Sequence, residues 1–419
     1  MSDKIQAIRG MNDILPDDLD CWQFLEETAA EVFRLYGYRE IRVPVVEKTE
    51  LFARSIGQST DIVEKEMYTF QDRNGDSLSL RPEGTAGVVR AALQNGMLHN
   101  AVHRLWYTGP MFRHERPQKG RYRQFHQIGL EAFGMAEAEL DAEVIALTDA
   151  LWKKLGISDV VLQLNSLGTR VSRQRYRDAL TEFYTGHRER LDEDSLRRLD
   201  SNPLRILDSK DRQVSELNRA APSILDYLDD ESAEHFARVR ELLDDLGVVY
   251  TVNPGLVRGL DYYTRSVFEW TTDELGAQSA ICGGGRYDGL VETLGGKPTP
   301  AIGFGIGKER LIELMKIQSC CEPASKLDVY IVQSGDAAAK AGMRLAGQLR
   351  ENGLRTLCNV GSTGFKSQLK RADRSGAAIA VILGEDELAN GMVTIKELAT
   401  GEQSTASMDQ LVDVLHQRL

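Results

Sequence analysis

Two arginine-bearing strings, far apart in the chain, hold the residue types best suited to chemistry on an anion. In MFRHERPQKGRYRQFHQIGLEAFG, residues 111–134, the two-residue period of a strand puts Arg113 and Glu115 on one face of a first strand. The same period groups Arg123, Phe125, Gln127, Gly129 and Glu131 on one face of a second strand. A guanidinium in MFRHE can clamp a phosphate through paired N–H donors, and Phe125 stands where it can stack on a nucleobase. The connecting loop carries Arg116, Lys119, Arg121 and Arg123. In GFGIGKERL, Gly303, Gly305 and Gly307 leave room for a ligand against the backbone, and Arg310 follows to face it. Such a row suits recognition of a charged small molecule. Taken alone it also suits the solvated face of an antiparallel sheet, and a basic hairpin loop also suits a solvated turn. Neither GxGxxG nor GxxxxGK[ST] is present, so any use of ATP belongs to a different fold.

These side chains need a sheet to hold them. Beyond Pro16, the spacing of Trp22, Leu25, Ala29, Val32, Phe33 and Tyr36 predicts an amphipathic helix over 17–36 that ends at Gly37. A short strand with Pro44 follows, where the missing N–H marks a sheet edge or a turn. Asn74-Gly75 predicts a hairpin, and the two long strands around 111–131 extend an antiparallel sheet. The run 139–156 reads as a helix closed by Gly156. Residues 171–247 are rich in Arg, Asp, Glu and Leu and read as a separate helical insertion, after which strand character resumes and completes the sheet. The resulting expectation is an α+β catalytic domain on an antiparallel sheet over 1–325, interrupted by that insertion. A C-terminal domain over 326–419 alternates strand and helix and reads as α/β.

Composition removes whole classes. The 419 residues carry 51 Lys and Arg against 63 Asp and Glu, a net charge of −12, with 42% hydrophobic residues, which excludes disorder and collagen as whole-chain readings. No window approaches the ~18 to 20 apolar residues of a membrane span. The first residues lack the apolar core of a secretory signal, so a cytosolic location is expected. The cysteines Cys21, Cys282, Cys320, Cys321 and Cys358 form no CxxC pair, which argues against a structural zinc or a disulfide framework. Residues 326–419 hold 11 basic and 11 acidic side chains, so the acidity lies in the first domain. A net negative chain does not coat nucleic acid indiscriminately, yet a local basic surface can still bind RNA.

With these strings on the page a resemblance emerges. FRHERP with Arg121 and Phe125 resembles motif 2 of class II aminoacyl-tRNA synthetases, GFGIGKERL resembles motif 3, and the segment at Pro44 resembles motif 1, the dimer element. RPEGT (81–85), LVRGLDYYT (256–264) and CGGGRYDGL (282–290) resemble the histidyl-tRNA synthetase family specifically, and the likeness covers nearly the whole chain. It implies a homodimeric enzyme that activates histidine with ATP and Mg²⁺ and then esterifies the 3′ end of tRNA(His). The catalytic residues implied are Arg113, Arg258 and Arg310. Arg113 would bridge the histidine carboxylate and the α-phosphate, Arg258 would approach the α-phosphate, and Arg310 and Arg121 would hold the outer phosphates. Glu115 would read the adenine amine and Phe125 would stack on the ring. For histidine, Glu131 and Tyr263 would meet the imidazole, Glu83, Thr85 and Gln127 the α-ammonium, and Tyr262 would line the pocket. For tRNA, the resemblance points to the 116–122 loop, with Arg116 and Lys119, at the acceptor end. KSQLKRADR (366–374), with Lys370 and Arg371, would lie at the anticodon. No resident metal site is implied. A regulatory paralogue that shares this catalytic fold would be expected to lose the C-terminal domain and erode these arginines, and both are intact here. A synthetase-like module that binds tRNA without activating histidine is a second alternative, and another class II enzyme with a similar C-terminal domain is a third, against whose zinc-dependent threonine member the absence of Cys/His zinc spacing speaks.

Overall fold

The computed structural model describes all residues except 1–3, 58–59, 100, 210, 277–278, 322–326 and 362. The chain divides into two compact units, Met1–Glu322 and Pro323–Leu419.

In the first unit, Pro16 opens α1 (Pro16–Leu35), whose Trp22, Leu25, Ala29, Val32 and Phe33 are buried. After β1 (Arg39–Glu40), Pro44 lies in the connection to β2 (Val46–Lys48), which α2 (Thr49–Ile56) follows. β3 (Thr69–Gln71) and β4 (Ser77–Leu80) form the hairpin expected at Asn74-Gly75. There Asp72 Oδ1 accepts from the backbone N–H of Asn74 at 2.8 Å and of Asp76 at 3.0 Å, and Gly75 takes a φ of +87°. Then come α3 (Thr85–Gln94), β5 (His103–Phe112), β6 (Gln124–Phe133) and α4 (Ala138–Leu155), closed by left-handed Gly156. β7 (Val161–Ser166) leads into α5 (Arg170–Thr185), α6 (Glu193–Ser201), α7 (Arg212–Asn218) and α8 (Asp230–Asp245). The unit ends with β8 (Tyr250–Val252), β9 (Thr264–Thr271), β10 (Ala280–Arg286), α9 (Leu290–Thr293), β11 (Ala301–Gly307) and α10 (Lys308–Ile317).

Eight of these strands form one sheet in the order β1-β5-β6-β11-β10-β9-β7-β8. Its six central strands pair antiparallel, while the short edge strands β1 and β8 pair parallel with their neighbours. Ile128, Leu130 and Ala132 face a core built with α1 and α4, so Phe125, Gln127, Gly129 and Glu131 lie on the opposite face.

Three expectations need correction. The strands around 111–131 are shorter than the alternation suggests: β5 stops at Phe112 and β6 begins at Gln124, so Arg113, Glu115 and Arg123 lie in the connecting loop. Pro117 and left-handed Gly120 turn the chain there; beyond the strands Arg113 N–H donates to Arg123 O at 2.9 Å, and Gln118 and Arg121 form an isolated bridge near the tip. The helical stretch is not separate from the sheet unit. Phe236, Val239 and Leu243 of α8 join the main core, and the core of α5 to α7 takes in Leu256, Tyr263 and Val267. Finally, Cys21 and Cys321 form a disulfide with Cα atoms 5.0 Å apart across a sequence separation of 300. No local spacing rule sees a pair so distant.

The second unit contains β12 (Val329–Gln333), α11 (Asp336–Glu351), β13 (Thr356–Cys358), α12 (Phe365–Arg374), β14 (Ile379–Leu383), α13 (Glu385–Ala389), β15 (Met392–Glu397), β16 (Gln403–Ser407) and α14 (Leu411–His416). Its five-stranded sheet runs β13-β12-β14-β15-β16, parallel about β12 and antiparallel beyond β14. Val329, Ile331, Leu345, Leu349, Val381 and Ile395 anchor a core of its own.

Candidate active site

A cavity of about 350 Å³ opens on the face of the large sheet that carries Phe125 and Gln127. Glu83, Thr85, Arg113, Glu115, Arg121, Phe125, Gln127, Arg258, Tyr262, Tyr263 and Arg310 all line it, so the three arginines singled out by the sequence share one chamber. Glycines in its wall leave room for neighbouring side chains. Arg258 lies across Gly283, where a Cβ would collide with its guanidinium, and it ion-pairs with Glu269, directly opposite Gly283 on β9.

At one end of the cavity the positive charges crowd together. Arg113 Nε donates to Pro82 O at 2.8 Å, its guanidinium sits 5.2 Å from the Phe125 ring centroid, and Glu115 Oε1 is 4.0 Å away. Glu115 also pairs with Arg121. Arg310 donates to Gly120 O at 3.1 Å and Ala280 O at 3.0 Å. Burial lowers the Arg310 pKa from its ordinary value, and the neighbouring charges of Arg121 and Arg113 lower it further. Burial likewise lowers that of Arg113. A polyanion entering here relieves a repulsion already built into the walls.

The other end is lined by hydroxyls and carboxylates. Glu83 accepts from the backbone N–H of Thr85 at 2.6 Å and of Ala86 at 2.9 Å, so it also stabilises the start of α3. Glu131 is fully buried one layer beneath the cavity surface and is not itself part of the lining. Its oxygens accept from Thr85 Oγ1 at 2.7 Å, Tyr107 OH at 3.2 Å and Tyr287 OH, and a Cβ on Gly303 would collide with it. Burial pushes its carboxyl up to about 8, against the hydroxyls that lower it. The rings of Tyr262 and Tyr263 lie 4.7 Å apart on the adjoining wall.

Sequence reasoning missed Tyr107, Tyr287 and Glu269. Tyr287 lies inside CGGGRYDGL, and Glu269 is a lone carboxylate in the apolar run VFEW; those were the available signals. Tyr107 carried none, because its slot depends on Gly84 and Gly129 approaching from two other elements. The residues picked out for tRNA lie outside the chamber. Arg116 is exposed beside a shallow depression shared with Arg9 and Arg123, and Lys119 pairs with Glu313 at 2.5 Å. Lys370 and Arg371 are exposed on α12 of the second unit, where Arg371 donates to Asn359 Oδ1 at 3.1 Å.

The fold is shared with the crystal structure of apo S. aureus histidyl-tRNA synthetase at a TM-score of 0.83 and 37% identity, covering 98% of this chain and 100% of that one. An antiparallel sheet bearing a cavity walled by motif 2 and motif 3 arginines defines the catalytic domain of a class II aminoacyl-tRNA synthetase. The family model described as Histidyl-tRNA synthetase matches residues 10–311, and that of an Anticodon binding domain matches 328–418. A histidine–tRNA ligase of Hydrogenovibrio crunogenus is 55% identical over 418 residues, 99% of this chain and 98% of the relative. One from Halorhodospira halophila is 60% identical over 401 residues, 95% of this chain and 94% of the relative. The chain belongs to the histidyl-tRNA synthetase family.

Proposed function

We infer that the protein is a histidine–tRNA ligase, and the observation that carries this is the single cavity joining an arginine cluster to a hydroxyl- and carboxylate-lined end. The histidine carboxylate attacks the α-phosphorus of ATP, a new O–P bond forms, and diphosphate leaves. The 3′-terminal ribose hydroxyl of tRNA(His) then attacks the acyl carbon and AMP leaves. In the first step two anions must meet, so fixed cations supply much of the rate. In our reading Arg113 and Arg258 neutralise the reacting carboxylate and α-phosphate. Arg121 and Arg310 hold the outer phosphates, Phe125 stacks on adenine, and Glu115 reads its amine after exchanging its pairing with Arg121. Glu83, Thr85 and Gln127 take the α-ammonium, and Tyr262 lines the pocket. Tyr263 and Glu131 answer the two ring nitrogens, Glu131 by giving up its longer bond to Tyr107. Buried groups that need those nitrogens reject rings lacking them.

Mg²⁺ we assign to the nucleotide, whose phosphate oxygens would hold it, with Glu269 as the cavity carboxylate suited to support it. Arg116 and Lys119 are assigned to the acceptor end of tRNA, and Lys370 and Arg371 to the anticodon. Homodimerisation we assign to the Pro44 segment, beside which Val46 and Phe70 are exposed at 38% and 45%. Among the described residues no helix is long and apolar enough to cross a membrane; a cytoplasmic location, where tRNA is charged, is our reading from the family. The test is exchange of labelled diphosphate into ATP. Exchange with histidine and not with other amino acids supports the assignment, and a pure protein that exchanges with none overturns it.

A further inference from the structure

The loop 256–264 carries Arg258, Tyr262 and Tyr263 into the cavity, yet it lies outside the sheet until β9 begins at Thr264. A segment without a ladder must be held by side chains. On one side, Asp261 N–H donates to Ile56 O at 3.3 Å. On the other, Asn165 Nδ2 of β7 donates to Leu256 O at 3.0 Å, and the α5 to α7 stretch holds the residues beyond it. Arg173 Nη1 donates to Asp261 O at 3.2 Å, Asn202 Nδ2 donates to Asp261 Oδ1 at 3.4 Å, and Arg205 donates to Gly259 O. Leu256 and Tyr263 are buried in the same cluster as Tyr176, Leu180 and Tyr184. Burial raises the Asp261 carboxyl above its usual range, and the charges of Arg205, Arg173 and Arg177 counter it, so the guanidiniums meet a carboxylate worth holding. Charged donors on carbonyl oxygens are among the stronger hydrogen bonds available to a loop.

We propose that α5 to α7 act as a strut for the loop 256–264, with Arg173 and Arg205 as positioning residues, so that this helical stretch serves histidine activation even when no tRNA is bound. The inference deepens the ligase reading and rests on it for its kinetic consequence. Because the loop supplies Tyr262 and Tyr263 on the histidine side, while Arg113, Arg121, Phe125 and Arg310, which hold the nucleotide, stand elsewhere, loosening the strut raises KM for histidine and leaves KM for ATP; displacement of Arg258 lowers kcat, which both substrates share.

The experiment is tRNA-free diphosphate exchange by the full-length protein. Arg173→Ala and the more exposed Arg205→Ala should each lower kcat/KM for histidine about tenfold while KM for ATP stays within about twofold. Arg173→Lys, which keeps one charged donor, should recover most of the loss. Wild-type exchange parameters in both alanine variants, with only aminoacylation reduced, would overturn the strut, because the stretch would then serve RNA alone. Equal rises in KM for histidine and KM for ATP would also overturn it, as general damage. Hydrogen exchange of the 256–264 amides needs no activity and separates the two readings. Faster exchange confined to that loop in Arg173→Ala supports the strut even if the wild type fails to activate histidine, and unchanged exchange counts against it.

Discussion

Glu131 sits where no carboxylate would be placed for stability alone. It is fully buried, and three hydroxyls donate to it across elements that meet only in the folded chain. Burial is the larger influence and raises its carboxyl from an ordinary 4.5 to about 8. Between those values the folded chain keeps a proton that the unfolded chain has released. This part of the stability is therefore whole below about 4.5 and is lost as pH rises through about 8. Glu131→Gln, a neutral isostere, should flatten the dependence over that window by at most about 1.4 kcal/mol per pH unit. Denaturant unfolding at several pH values checks it, and an unaltered slope would show that the group is ionised in the folded state throughout. The same variant should lower kcat/KM for histidine far more than for ATP if, as proposed, Glu131 answers an imidazole nitrogen.

At the scale of elements, the string CGGGRYDGL does two jobs. Its glycines let Arg258 lie against β10, while Arg286, with no exposed surface, ties the end of that strand to its neighbours. Arg286 donates to Asp141 Oδ1 at 2.7 Å, Met135 O at 3.1 Å, Glu137 O at 3.0 Å and Asp288 Oδ1 at 3.2 Å. Asp288 in turn accepts from the backbone N–H of Ala301 at 2.9 Å, which fixes the start of β11. Arg286→Met fills similar space but leaves the Asp141 carboxylate buried without its cation. A loss of about 3 to 5 kcal/mol is expected, the range for breaking one side of a buried ion pair. Burial already pushes the Asp141 carboxyl up to about 6, so the deficit should be smaller at pH 5 than at pH 8 as that group takes a proton. Urea unfolding at both values measures it, and a deficit independent of pH would mean that packing, not charge, is what was lost.

On the scale of the whole molecule, activation and tRNA selection are assigned to units that each hold a hydrophobic core. Lys370 and Arg371 stand exposed on α12 in a unit whose charges balance. Lys370→Ala should raise KM for tRNA severalfold and reduce the salt dependence of tRNA binding by about one unit of logarithmic slope. Diphosphate exchange without tRNA should not change. A tRNA KM equal to that of the wild type would move the RNA surface off this face of α12.

The sequence by itself determined the periodic elements and the local punctuation. The amphipathic α1, the Asn74-Gly75 hairpin, the helix closed by Gly156 and the alternating sheet of the C-terminal unit all follow from signals a few residues long. It also marked the arginines of the cavity, because their motif strings are contiguous. Tertiary structure alone decided what those residues meet. Arg258 finds Glu269 only because Gly283 stands opposite it in the β9 and β10 register, and Tyr107 fits only between Gly84 and Gly129. Cys21 reaches Cys321, and Arg205 reaches Gly259, across stretches of chain that no periodicity spans. Local propensity is written in neighbours along the chain, whereas the partners of a buried charge are chosen by how the sheet brings distant strands together.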